Sequence, residues 1–87
     1  VRVNAISPGY VLTEALQAAI DRGDRNPKDL TSQAAMGRLV EPHEVAVAVA
    51  FLLSPQATAI TGINLPVDAG WLAGSTWQTY GGVPNPQ

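Results

Sequence analysis

Cysteine is absent from these 87 residues, which removes disulfide cross-links and thiolate chemistry together. Histidine occurs once, at position 43, and one imidazole does not build a metal site; none is expected. Lys28 is the only lysine, and with four arginines against seven carboxylates the net charge is −2. No basic cluster exists, so neither nucleic acid nor an anionic membrane is an expected partner. The longest wholly apolar run, residues 45–53, falls well short of the roughly 20 residues that span a bilayer. No secretory leader pattern is visible, so a cytoplasmic location is expected. The chain begins with Val rather than Met, and its own translation start is not expected within it.

Charge is scarce as well. Only 14% of residues are charged, against about 25% in an ordinary globular domain. A small independent domain has much surface per residue and normally carries more. The deficit implies that part of this surface lies against other protein.

Residues 1–6 read as a strand in which Val1, Val3 and Ala5 alternate with Arg2 and Asn4. Pro8 removes a ladder donor and Gly9 permits positive φ, so the strand should end there. Thr13 is a good N-cap and Glu14 suits the positive end of a helix dipole, which predicts a helix over residues 14–22. Leu16, Ala19 and Ile20 form its apolar stripe, and Gly23 is a natural stop. Asn26-Pro27 predicts a second N-cap and a weaker helix over residues 27–35. Residues 36–40 read as a loop. Pro42 and Glu44 open the strongest helix, which Ser54-Pro55 closes. Because residues 45–53 are apolar all round, this helix should be covered on more than one side. His43 is expected to be an exposed residue of its first turn. Residues 63–67 read as a short strand, and Pro66 places it at a sheet edge. Asp68 should tie down the turn that follows, and Asn4 should make a structural hydrogen bond. After Gly70 the sequence turns aromatic and uncharged, with Trp71, Trp77 and Tyr80.

The order strand, helices, strand describes an α/β crossover between parallel strands. Two parallel strands do not make a stable sheet; such sheets need several strands and cover on both faces. The expected fold is therefore the C-terminal part of a Rossmann-type doubly wound parallel sheet, incomplete without an upstream part of the same protein. In such sheets ligands lie beyond the carboxyl ends of the strands, where Ser7-Pro8-Gly9 falls.

Three blocks then resemble one family. Val3-Asn4-Ala5-Ile6-Ser7-Pro8-Gly9-Tyr10-Val11-Leu12-Thr13 resembles the segment after the catalytic helix of classical short-chain dehydrogenases/reductases. Gly37-Arg38-Leu39-Val40-Glu41-Pro42-His43-Glu44-Val45-Ala46 resembles that family's Gly-Arg…Pro-x-Glu-Val-Ala segment. Ser54-Pro55, Ile60-Thr61-Gly62 and Val67-Asp68-Ala69-Gly70 resemble its closing turn and last strand. The blocks stand in the family's order and spacing.

The resemblance implies a sheet of parallel strands in which residues 1–6 are the sixth and 63–67 the seventh. It implies a dinucleotide-binding part over residues 1–74, a substrate lid over 14–36, and a tail extension over 75–87. The implied cofactor is NAD or NADP. By matched position, Pro8 and Gly9 would lie against the nicotinamide, the Val11 backbone would hold its carboxamide, and Thr13 would contact phosphate or carboxamide. Read without the resemblance, the same turn needs Thr13 only as a helix cap. Tyr10 would face substrate or lid. Family members are often homo-tetramers that pair across the final helix and strand. The aromatic tail would either wall a neighbour's pocket or pack on its own subunit.

Much of the implied machinery is not here. There is no Gly-rich phosphate loop between a strand and a helix. The Tyr-x-x-x-Lys pair is missing: Tyr10 is followed four residues on by Glu14, Tyr80 by Pro84, and Lys28 is preceded by Asp24. No catalytic residue is therefore assigned. The implied function is a share in an oxidoreductase that interconverts an alcohol and a carbonyl by hydride transfer; the mixed polarity of residues 14–36 permits a polyol, sugar or hydroxy-ketone without selecting one. The share would be a nicotinamide wall, a lid and an oligomer interface. The alternative is a non-catalytic fragment or interaction piece.

Overall fold

The computed structural model describes residues 1–74, 76 and 81. The element order is β1 (Ala5–Pro8), α1 (Glu14–Asp21), α2 (Pro27–Thr31), α3 (Pro42–Leu53), a 3-10 turn (Pro55–Ala57), β2 (Asn64–Val67) and α4 (Trp71–Gly74). β1 and β2 pair in parallel, with Ala5 opposite Asn64 and Pro8 opposite Val67. The sheet therefore has the α/β form that the sequence predicts.

β1 begins later and ends later than expected. Residues 2–4 are engaged outside the ladder. The Arg2 guanidinium donates to Ile60 O at 3.0 Å. The Asn4 amide donates to Ile60 O at 3.0 Å and accepts from Ile63 N at 3.1 Å, which is the structural role expected of it. At the other end Pro8 stays in the strand. Ala5 N donates to Ile63 O and Gly9 N donates to Val67 O, so odd-numbered residues serve the β2 side. The N–H that Pro8 lacks would have faced the opposite edge. By the same alternation Pro66 presents its missing donor to the outer edge of β2, as an edge strand allows.

The helix starts follow the sequence closely. Thr13 Oγ1 accepts from Leu16 N at 3.1 Å, and Asn26 Oδ1 accepts from Lys28 N at 3.0 Å. Leu16, Ala19 and Ile20 are the half-buried stripe of α1, and Gly23 ends it at φ +80°. α2 stops at Thr31 rather than Ala35, because the following residues bond elsewhere. Ala35 N donates to Gly70 O and Met36 N to Ala69 O. Gln33, itself buried, donates its amide to Trp71 O at 3.3 Å. A tertiary tie replaces the last helical turn, and it fixes the carboxyl-terminal end of the expected lid.

α3 shelters one face, formed by Glu44, Val45, Ala48 and Leu52. Val47, Val49, Phe51 and Leu53 remain exposed, Leu53 by 77%. The buried apolar side chains among the described residues are Leu30, Ala34, Val40, Leu52 and Ala57. A cavity of about 340 Å³ lies between α3 and the start of β1, lined by Arg2, Val3, Asn4, Ile6, Val49, Leu52 and Leu53. α4 was not expected. Asp68 creates it: its Oδ1 accepts from Gly70 N at 2.9 Å and its Oδ2 from Leu72 N at 3.2 Å. Trp77 and Tyr80, singled out in the sequence, lie outside the described residues.

Candidate functional site

The loop from Pro8 to Thr13 leaves the carboxyl end of β1 and enters α1. Gly9 is glycine for a reason other than positive φ. Its backbone is not left-handed; instead a Cβ there would stand 2.9 Å from both Cα and Cβ of Asp68. The close approach lets Gly9 N reach Val67 O at 3.0 Å. Space along the side-chain direction of Gly9 is thus taken by Asp68, while the Gly9 backbone lines a recess.

That recess has a volume of about 290 Å³ and is lined by Pro8, Gly9, Tyr10 and Trp71. Tyr10 and Trp71 meet edge to face, with ring centroids 5.1 Å apart and planes at 77°. The Arg25 guanidinium lies 5.6 Å from the Tyr10 ring centroid, in cation–π range. Tyr10 therefore touches both Arg25, between α1 and α2, and Trp71 of α4. Sequence reading placed Tyr10 toward substrate or lid but gave no sign of its pairing with Trp71. Asp68 two residues before Gly70 was the available signal for a capped turn that presents Trp71.

Beyond Tyr10 the backbone is held from a second element. Val40 N donates to Tyr10 O at 2.9 Å, and Leu12 N donates to Val40 O at 2.8 Å. These bonds bracket Val11 in an isolated parallel bridge with Val40. In a parallel pair, the bracketed residue turns its own N–H and C=O the other way. The Val11 carbonyl accepts from Thr13 N at 2.8 Å, and the Val11 N–H has no protein partner among the described residues. Thr13 is similar. Its oxygen caps α1, and its hydroxyl hydrogen has no acceptor among the described residues. A half-buried free N–H and a hydroxyl donor two residues apart, beside a helix N-terminus, suit an amide or phosphate oxygen.

An ion pair flanks Val40, the residue that bonds to the loop. Arg38 Nη1 and Nη2 meet Glu44 Oε1 and Oε2 at 2.8 and 2.9 Å. The Arg38 hydrogen bonds, with help from the Glu41 N–H, lower the Glu44 pKa to about 2; the same bonds raise that of Arg38. His43 is exposed in the first turn of α3, as expected. Among the described residues no group of three His, Cys, Asp or Glu side chains is placed to hold a metal. Among the described residues no helix is long and apolar enough to cross a membrane.

A parallel strand–helix–strand crossover with unpaired donors at the strand's carboxyl end defines a Rossmann-type α/β protein, of which these elements are a part. A family model described as enoyl-(acyl carrier protein) reductase matches residues 1–72, and the chain belongs to the short-chain dehydrogenase/reductase family. Galactitol 2-dehydrogenase (L-tagatose-forming) of Cereibacter sphaeroides is 45% identical over 73 residues, which is 82% of this chain and 28% of that protein. A Brucella melitensis 16M structure named ribose-5-phosphate isomerase superposes with a TM-score of 0.83 at 45% identity, over 97% of this chain and 33% of that one. ElxO, solved with NADP bound, gives a TM-score of 0.77 at 35% identity over 83% of this chain and 29% of its own. This chain spans less than a third of the length of the curated relatives it matches. Members of the family use NAD or NADP.

Proposed function

We propose that these residues serve a nicotinamide-dependent oxidoreductase that interconverts an alcohol and a carbonyl. Their share is the wall against the nicotinamide, a lid and an oligomer contact. The unpaired Val11 N–H is the observation that carries this reading. It is half-buried and bracketed by two bonds to Val40, and the family resemblance assigns the Val11 backbone to the cofactor carboxamide. Pro8 and Gly9 give a flat backbone surface beside it, and the Thr13 hydroxyl adds a donor at the start of α1. The bound nicotinamide supplies or accepts the hydride. This chain's residues orient the ring and keep water from one side of it.

Tyr10 lies on the substrate side, where the edge-to-face contact with Trp71 shapes the recess. Residues 14–36 form the lid. Their anchors are the Thr13 cap at one end and the bonds to Ala69, Gly70 and Trp71 at the other. A small polyol, sugar or hydroxy-ketone fits a recess of this size, and the galactitol dehydrogenase relative supports that class. The exposed face of α3 and the outer edge of β2 support pairing in a homo-tetramer.

The test is made on the full-length protein. NADH and NADPH are titrated by fluorescence, and polyol oxidation is followed by nicotinamide absorbance. Binding of either cofactor at micromolar concentration with turnover of an alcohol supports the reading. Failure to bind either at millimolar concentration overturns it and leaves the non-catalytic interaction piece.

A further inference from the structure

We propose that Arg38 and Glu44 are positioning residues for the cofactor loop, acting through Val40 on Val11. The inference rests on the nicotinamide-wall reading above. It starts from local chemistry. Gly37, at φ +68°, turns the chain so that Arg38 runs back alongside the first turn of α3. Pro42 fixes the first helical position, and Glu44 follows one turn in.

The guanidinium and carboxylate then join as a two-bond fork, a geometry that constrains orientation as well as distance. Two more bonds tie this fork to the backbone between them. Arg38 Nη1 donates to Leu39 O at 3.1 Å, and Glu41 N donates to Glu44 Oε1 at 2.8 Å. Residues 38–41 are thus closed into a small ring of contacts, with Val40 inside it.

Val40 is only 3% exposed, so its side chain is anchored while its backbone reaches the loop. Its N–H and C=O are the two groups that bracket Val11. The direction of the Val11 N–H is therefore set by a peptide almost 30 residues away, and that peptide is held by the ion pair. A pair that merely stabilised α3 would need the capping bond to Glu41 alone. The bond from Arg38 to Leu39 O, next to Val40, ties the fork to the peptide that contacts the loop.

Arg38→Lys keeps the charge and loses the fork; Glu44→Gln keeps the shape and loses the charge. Both are made in the full-length protein, with Asn4→Ala as a control that weakens the fold at the far end of β1. Amide hydrogen exchange is first measured without cofactor. The Leu12 and Val40 amides should exchange about tenfold faster in both variants, with Ala5 and Gly9 unchanged. The cofactor KM should rise about tenfold while kcat stays within about twofold of the parent. Arg38→Lys/Glu44→Gln should be no worse than the poorer single variant, since the two act by one route. Asn4→Ala should leave the cofactor KM unchanged even where it costs more stability. Unchanged exchange at Leu12 and Val40, or an unchanged cofactor KM, overturns the proposal while the nicotinamide reading stands. A parent protein that binds neither NADH nor NADPH overturns both.

Discussion

The two ends of β1 carry opposite arrangements of polar groups. At the amino end, side chains reach out to backbone: Arg2 and Asn4 both donate to Ile60 O, and Thr61 Oγ1 accepts from Val3 N. At the carboxyl end, backbone reaches backbone, and the Val11 N–H and the Thr13 hydroxyl hydrogen are among the donors without a partner among the described residues. A side chain that satisfies a carbonyl closes a structure. An unpaired donor on a rigid frame is open to a ligand, and it costs stability until one arrives. On the proposed function, the strand separates holding from binding along its own length.

Gly9→Ala should break this contrast most severely. The new Cβ would meet Asp68 at 2.9 Å against backbone that has little room to yield. A shift of about 1 Å at Gly9 carries Val11 with it, so cofactor affinity should fall by about 100-fold. Overpacking should cost about 1–3 kcal/mol of stability as well. Fluorescence titration and urea unfolding of the full-length protein measure the two effects. Full affinity in the variant would remove Gly9 from the binding frame.

Asn4→Ala tests the other end. It leaves Ile63 N without its acceptor while Ile60 O keeps only Arg2, for a loss of about 1–3 kcal/mol in unfolding free energy. Cofactor affinity should not change. A parallel loss of affinity would show that the two ends are not separable.

Thr13→Val keeps the shape and removes the hydroxyl. Loss of the cap to Leu16 N should cost about 1 kcal/mol. If the hydroxyl also meets the cofactor, Kd rises about tenfold, in line with a hydrogen bond to a charged group. Thr13→Ser should restore it. Unchanged Kd and turnover in the valine variant would return Thr13 to a capping role alone.

Arg25→Ala should have a smaller effect, about 0.5–1 kcal/mol, the range for an exposed cation over an aromatic ring. The reading is substrate KM, which should rise while cofactor Kd holds. The smallest effect is that of pH. Glu44 titrates near 2 in the fold rather than at its ordinary 4.5. A carboxylate lowered in this way adds stability above pH 4.5 and loses it as pH falls through about 2. Carbon-13 titration of the Glu44 carboxyl should show a midpoint well below 4; a midpoint near 4.5 would mean the Arg38 fork does not persist in solution.

Much of this was readable in local pattern. Thr13 and Asn26 announce helix starts because a cap needs only the next three residues. Leu16, Ala19 and Ile20 mark one face because helical spacing is fixed. Pro66 declares an edge for the same local reason. The misreadings all involve partners distant in sequence. α2 stops early because Ala35 and Met36 bond to Ala69 and Gly70. Gly9 is small because Asp68 lies against it, with no trace of that in its neighbours. α4 and the Tyr10–Trp71 contact depend on the capped Asp68 turn.

Residue order alone therefore determined the class: alternating strand and helix signals, the Ser7-Pro8-Gly9 turn and the three family blocks. It also marked the backbone stretch proposed to face the ligand, since proline and glycine act on the chain directly. The tertiary structure decided which donors remain available there. Whether the Val11 N–H is free depends on where Val40 puts its own two bonds, and hydrogen-bond partners across 30 residues are settled only when the chain has folded.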